Sequence, residues 1–261
     1  MSISQAPSAL DVAALRGRVQ EMYTAVARDP GGEFHFETGR ALAERLGYPA
    51  AWLDFVPESA LDSFAGVGHM LDLAALWPGE RVLDLGSGSG TDSFIATRLV
   101  SPGGVVTGVD MTSAQVDKAR TLRDRHRIRH VSFVKGSVER PPAEPASYDA
   151  VISNGVINLV PDKARVFAAV GCALRPGGRL AVADIVASSP IKERTRCNAN
   201  LWAACIAGAA TLDEYTSAIE GAGLRIETVR DNDTYRFTSP RALGAVETYG
   251  VRSVSILAVK P

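Results

Sequence analysis

Residues 82–93 read VLDLGSGSGTDS. An apolar β-type run ends in glycines at every second position, Gly86, Gly88 and Gly90, and a helical pattern, SFIATRLV, follows. Glycine lets the backbone pass close to a ligand, and the first N–H groups of the next helix are free to point at it. A glycine loop alone also makes an ordinary tight turn, so its neighbours decide the reading. The next β-type run, GVVTGVD, ends in Asp110, 20 residues beyond Gly90. A carboxylate at that place can accept hydrogen bonds from both ribose hydroxyls. A ligand containing a nucleoside is therefore expected at this loop.

The pattern extends outward from there. RVLDLG, GVVTGVD, HVSFVKG, YDAVISN and GRLAVADIVA are β-type runs, and SFIATRLV, SAQVDKARTLRD and DKARVFAAVGCAL between them have helical periodicity. Such alternation predicts a mostly parallel sheet with crossover helices. The β runs are continuously apolar, as in strands covered on both faces. RPGG at residues 175–178 stops a helix and turns into the next strand. TLDEYTSAIEGAG is expected to be a helix capped by Thr211 with Glu214 three residues on. LRIETVRD and VRSVSILAVK are two closing strands able to pair antiparallel at the sheet edge. Upstream, LDVAALRGRVQEMYTAVA and RALAERLG are helical. The fold class expected is α/β and Rossmann-like, with a mostly parallel sheet and an antiparallel edge. Residues 1–75 form a helical cap, residues 76–261 form the main domain, and an insert occupies about residues 188–210.

Composition narrows the function. The chain has 261 residues, 46% of them hydrophobic, enough for one large domain or a core with a cap. A net charge of −1 gives no long-range attraction to nucleic acid or an anionic membrane. No apolar run approaches the roughly 18–20 residues of a spanning helix. MSISQAPSALDVAALRGRV has neither the basic start nor the apolar core of a signal peptide. Cys172, Cys197 and Cys205 are three thiols without a close pair, so reduced cysteines and a cytoplasmic location are expected. No spacing suggests a metal cage. Five arginines around His126 and His130 resemble a nucleic-acid patch, but a solvated helix end with cations at the negative pole accounts for them. The expected partner is a small molecule, and the expected state a monomer or homodimer.

Between a dinucleotide and S-adenosylmethionine, the loop favours the second. The dinucleotide pattern wants Gly or Ala at position 91, where this chain has Thr91. Asp92 would repel a pyrophosphate but suits a sulfonium and an ammonium group. The ends of later strands complete the site: Gly136, Ser137 and Val138 in FVKGSVERPP beside an adenine, Ser153 and Asn154 in VISNGVINL beside the methionine part and the methyl group. Asp84, Ser87 and Gln115 are the remaining candidates.

VLDLGSGSGTDSFIATRLV, GVVTGVDMTSAQVDKAR, VISNGVINLVPDKARVF, LRPGGRLAVADIV and CIAGA, with the upstream LGYP and SFAGVGH, together resemble the arsenite methyltransferases and their relatives. The resemblance covers about residues 20–225. It implies a class I methyltransferase fold, S-adenosylmethionine as donor and S-adenosylhomocysteine as product. It also implies a cofactor site that includes Gly86, Gly88, Asp110, Met111, Val138 and Ser153. In that family cysteines chelate trivalent arsenic, one of them between Asn and Val of SN-x-V and one in the N-terminal part. Here the first position is Gly155, and no cysteine precedes Cys172; only the CIAGA thiol, Cys205, matches. Holding a soft ion needs two or three thiolates in fixed geometry. The expected acceptor is therefore a small organic molecule of specialised metabolism. The alternatives are an arsenite or thiol S-methyltransferase using Cys205, and a donor-binding protein without turnover. Gly155 either makes room for a bulkier acceptor or supplies a positive φ at the turn.

On the acceptor side, His69 in FAGVGHM and His35 in GEFHFETG are candidate bases, against a structural hydrogen-bonding role. Tyr23 could reach the donor from the N-terminal helix, against plain packing. Asp184 ends the fifth strand and is a candidate substrate contact. Trp202 and Cys172 are expected in the core.

Overall fold

The computed structural model describes residues 10–196, 202 and 206–261, save the side chain of Arg241. Seven strands form one sheet: β1 (Arg81–Leu85), β2 (Val105–Asp110), β3 (Val131–Lys135), β4 (Tyr148–Asn154), β5 (Leu174–Val186), β6 (Arg225–Asp231) and β7 (Arg252–Val259). Their order is β3-β2-β1-β4-β5-β7-β6. The first five are parallel. β7 pairs antiparallel with β5 and with β6, so the two closing strands form the antiparallel edge expected of them. Strand order reverses between β2 and β4 around β1. The crevice beyond the carboxyl ends of β1 and β4 is the place where open α/β sheets bind ligands.

β4 is buried along nearly its whole length, which explains its uninterrupted apolar run. The helices between strands are α6 (Thr91–Leu99), α7 (Ser113–Arg125) and α8 (Lys163–Ala173). Phe94 of α6 meets Phe133 of β3 edge to face, 5.4 Å between centroids, and holds the glycine loop's helix against the sheet. The helix Leu212–Gly221 starts with the expected capping box: Thr211 Oγ1 accepts from Glu214 N, and Glu214 Oε2 accepts from Thr211 N. Its Tyr215 packs edge to face on Phe167 of α8.

The N-terminal segment contributes α1 (Val12–Arg28), α2 (Arg40–Arg45), α3 (Ala50–Leu53), α4 (Glu58–Asp62) and α5 (Leu71–Ala74). Leu15, Val19, Leu42, Leu53 and Leu61 share a hydrophobic cluster with Phe94 and Ile95 of α6 and Ile152 of β4. α1 is fastened to α7 by polar bonds as well: Gln115 Nε2 donates to Tyr23 O, and Lys118 Nζ donates to Ala27 O and Ser63 Oγ.

Two expectations need correction. β5 begins at Leu174, so RPGG lies within the strand's assigned span and α8 stops at Ala173, before it. Cys172 is exposed, because the buried face of α8 runs through Val166, Phe167 and Val170 and leaves position 172 outside. The helix Pro240–Tyr249 went unrecognised, although Ser239 caps it and Pro240 stands in its first turn. Within the expected insert a helix covers Glu193–Arg196, and Trp202 is buried as expected.

Removing the cap oxygen with Thr211→Ala should destabilise the protein by about 1 kcal/mol. Thermal melting should show the loss, while ligand binding in the distant crevice stays unchanged.

Candidate functional site

A cleft opens at the carboxyl ends of β1, β2 and β4 beneath α1. Twelve of the residues singled out by sequence line it: Tyr23, Asp84, Gly86, Ser87, Gly88, Asp92, Asp110, Met111, Gln115, Ser137, Val138 and Asn154. Gly86 has φ +77°, and a Cβ there would lie 2.2 Å from Val156 Cγ2. No other residue fits between β1 and the segment after β4.

Asp110 ends β2 facing the glycine loop. Its Oδ2 accepts from Gly88 N at 3.0 Å and its Oδ1 from Thr112 N at 2.8 Å. A carboxylate offers about four acceptor positions, so each oxygen keeps capacity for a further donor. Burial raises the pKa of Asp110 against the lowering effect of these two N–H groups. Ser87 Oγ, also on the cleft wall, is buried without a hydrogen-bond partner. An unpartnered buried hydroxyl beside a carboxylate with spare acceptor positions fits a polar, hydroxylated ligand.

Asp84 and Asp92 place two buried carboxyls in the cleft. Asp84 accepts from Ser93 Oγ at 2.6 Å. Burial, and then the neighbouring Asp92, push its pKa to about 8. Asp92, in the first turn of α6, accepts from Tyr48 Oη at 2.7 Å and from Asn154 Nδ2 at 3.2 Å. Burial pushes it to about 6, against the lowering effect of those two donors. The cationic side chain on the cleft wall among the described residues, Arg16, is paired with Glu139 at 2.5 Å. The interior of the cleft thus favours a positively charged group.

Asn154 joins the crevice to the N-terminal segment. Its Oδ1 accepts from Val67 N at 2.8 Å, and its Nδ2 also approaches Gly68 O and Tyr48 Oη. Gly155 follows with φ +71°, and a Cβ added there would meet Val67 Cγ1 at 3.2 Å. The positive φ anticipated as one of two readings is present, and the missing side chain would have pointed at the wall formed by residues 65–67. The remaining wall is largely apolar: Phe64, Val156, Leu159, Val160 and Pro161.

Other candidates fall elsewhere. Ser153 is fully buried and its hydroxyl donates to Leu85 O at 2.9 Å, tying β4 to β1 instead of facing the cleft. Gly136 is outside the lining, its N–H engaged by Asp110 O at 2.9 Å. His69 is buried behind Tyr48, ring centroids 4.4 Å apart, and burial lowers its pKa. His35 stacks edge-on against Phe36 at 4.6 Å, and neither histidine lines the cleft. Asp184 is buried, accepting from Tyr215 Oη at 2.8 Å and from Asn158 N at 2.9 Å, and does not reach the cleft. Cys197 and Cys205 lie outside the described residues. Sequence reading assigned no role to Arg16, Phe64, Glu139 or Tyr48. Tyr48 stands in the LGYP motif, which was a signal, but its distance of 44 residues from Asp92 hid the contact.

The family model described as a methyltransferase domain matches residues 76–223. The arsenite methyltransferase of Halobacterium salinarum is 39% identical over 203 residues, covering 78% of this chain and 52% of that protein. The Mus musculus arsenite methyltransferase is 42% identical over 138 residues, 49% of this chain and 37% of that protein. The chain thus spans about half the length, or less, of these curated relatives. The crystal structure of an arsenic(III) S-adenosylmethionine methyltransferase from Chlamydomonas reinhardtii superimposes with a TM-score of 0.66 at 31% identity, covering 85% of this chain and 73% of that one. Geranyl diphosphate C-methyltransferase from Streptomyces coelicolor, crystallised with S-adenosyl-L-homocysteine, shares the fold at TM-score 0.67 and 19% identity, over 96% of this chain and 99% of that one.

Gly155→Ala should strain the turn and press on Val67. We expect a loss of about 1 kcal/mol or more in stability, with melting temperature and ligand affinity falling together. Normal melting with a selective loss of turnover would instead make position 155 a matter of acceptor space.

Proposed function

The chain belongs to the family of S-adenosylmethionine-dependent methyltransferases that includes the arsenite methyltransferases, and on that premise we propose that it transfers the methyl group to a small organic acceptor. S-Adenosylmethionine supplies an activated methyl group on a cationic sulfur. The observation that carries the donor reading is the buried Asp92 carboxylate in the first turn of α6, beside the glycine loop. It favours a cation where a dinucleotide would put its pyrophosphate. Asp110 accepts the ribose hydroxyls, and Ser137 and Val138 border the adenine. Asp92 and Asn154 orient the methionine end. Tyr23, Phe64, Val156 and Leu159 wall the space beyond it and exclude water, so the chemistry consists mainly of alignment. Neither His35 nor His69 is assigned as base, because both lie off the cleft. In this reading residues 1–75 act as a cap on a catalytic domain of residues 76–261, with an insert of about residues 188–210.

An organic acceptor is favoured over arsenite by Gly155. A soft ion needs two or three thiolates converging on it. The wall that a side chain at 155 would face is Val67, which offers no thiolate.

Calorimetry should show binding of S-adenosylmethionine and none of NAD. Asp110→Ala should weaken donor binding about tenfold to a hundredfold, since hydrogen bonds to a carboxylate contribute roughly 1.5–3 kcal/mol. Tight NAD binding without a response to S-adenosylmethionine overturns the donor reading.

With arsenite, donor and a thiol reductant, mass analysis should find little methylated arsenic. Robust turnover that disappears in Cys205→Ser overturns the organic-acceptor reading.

A further inference from the structure

We propose that Tyr48, which lies outside the cleft, is a positioning residue for the methyl donor, its hydroxyl holding the Asp92 carboxylate toward the donor's cationic end. The proposal rests on the reading of the cleft as a donor site and adds a residue from the N-terminal cap to it.

The geometry is specific. Tyr48 follows the short helix α2, at the turn through Gly47. Its ring is buried, wedged edge-on against Phe64 at 5.3 Å and tilted on His69 at 4.4 Å. Its hydroxyl emerges from this apolar packing at one point and donates to Asp92 Oδ1 at 2.7 Å. Asn154 then closes a small ring, its Nδ2 within reach of Tyr48 Oη at 3.1 Å and of Asp92 Oδ2 at 3.2 Å. Both oxygens of Asp92 are therefore aimed, one by the cap and one by the end of β4. Held this way, the carboxylate cannot rotate away from the cleft it lines.

The hydroxyl also favours the charged form of Asp92. Burial works against that form, and the Tyr48 hydrogen bond is the larger of the two effects that lower the pKa back toward about 6. Other titratable groups stand nearby. Asp84 of β1 and Asp110 of β2 line the same cleft. From the cap, His69 stands behind Tyr48, beside the Asp72–Arg230 ion pair. Arg16 and Glu139, paired with each other, also line the cleft. Asp92 accepts a cation only when ionised. Loss of the Tyr48 donor should raise the pH at which ionisation occurs, so the donor's affinity falls near neutrality and recovers in alkali.

The test measures the dissociation constants of S-adenosylmethionine and S-adenosylhomocysteine for the wild-type protein and Tyr48→Phe between pH 5.5 and 9. Taking the ratio of the two proteins at each pH cancels the ligands' own titration. We expect about a tenfold loss at pH 7, shrinking to under threefold at pH 9. A site-specific 3-fluorotyrosine at position 48, the same shape with a more acidic hydroxyl, should move the acid limb the opposite way, and serves also if Tyr48→Phe does not fold. A ratio that is constant across pH, or an acid limb unmoved by fluorination, overturns the proposal and leaves Tyr48 as packing. Failure of the wild-type protein to bind either ligand overturns the donor reading itself, and this proposal with it.

Discussion

Two carboxyl groups, Asp84 and Asp92, are buried around one crevice, and a third, Asp110, is half-buried beside them. Burial disfavours the charged form of each, and Asp92 raises the pKa of Asp84 further. A carboxyl whose pKa is higher folded than unfolded opposes folding once pH passes its unfolded value. The cost is absent below the unfolded value near 3.8, grows as pH rises, and is complete above about 6 for Asp92 and about 8 for Asp84. Near neutral pH the fold therefore carries an unfavourable term that a cation in the crevice offsets. Binding energy for a positively charged ligand is built into the protein at the expense of its own stability.

Much of the surrounding architecture serves to keep those groups in place. Asp110 accepts from Gly88 N and Thr112 N, so the carboxylate also fixes the path of the glycine loop and the start of α7. Asp84 is held by Ser93, one turn into the helix that the loop begins. Asp92 is held by Tyr48 from the N-terminal segment and by Asn154 from β4. Elements far apart in sequence converge on one cluster of carboxyl groups. The N-terminal helices pack into the same apolar cluster as the sheet, and this supplies the rigidity that such convergence needs.

The strands were legible because burial on both faces leaves continuous apolar runs, as in Ala150, Val151 and Ile152. The glycine loop and Asp110 were legible because spacing along the chain sets their place in space. Where a single side chain points was harder to read. Ser153 and Asn154 are neighbours at the end of β4, and successive strand residues face opposite sides. One therefore ties strand to strand while the other faces the cleft. The period could not say which, because both faces of β4 are buried. Cys172 shows the same limit on a helix: an apolar neighbourhood in sequence does not fix the buried face. Tyr48 was illegible for another reason. Its contact with Asp92 depends on how the cap settles on the sheet, which no local pattern encodes.

Gly155 brings these strands of argument to one atom. The chain leaves β4 after Asn154 and must turn at once, because Asn154 is bonded to the wall at Val67 and Gly68 while Gly155 N reaches back to Ala183 O on β5. Only a positive φ satisfies both directions, and an L side chain rarely adopts one. Space adds a second constraint, since a Cβ would press on Val67. Conformation disfavours a side chain here, and packing adds a tight contact that Val67 would have to relieve. The segment after the turn, Val156 to Pro161, gives the cleft its apolar wall. The crevice so combines carboxyl groups with an apolar surface. The two halves are joined at a residue with no side chain of its own.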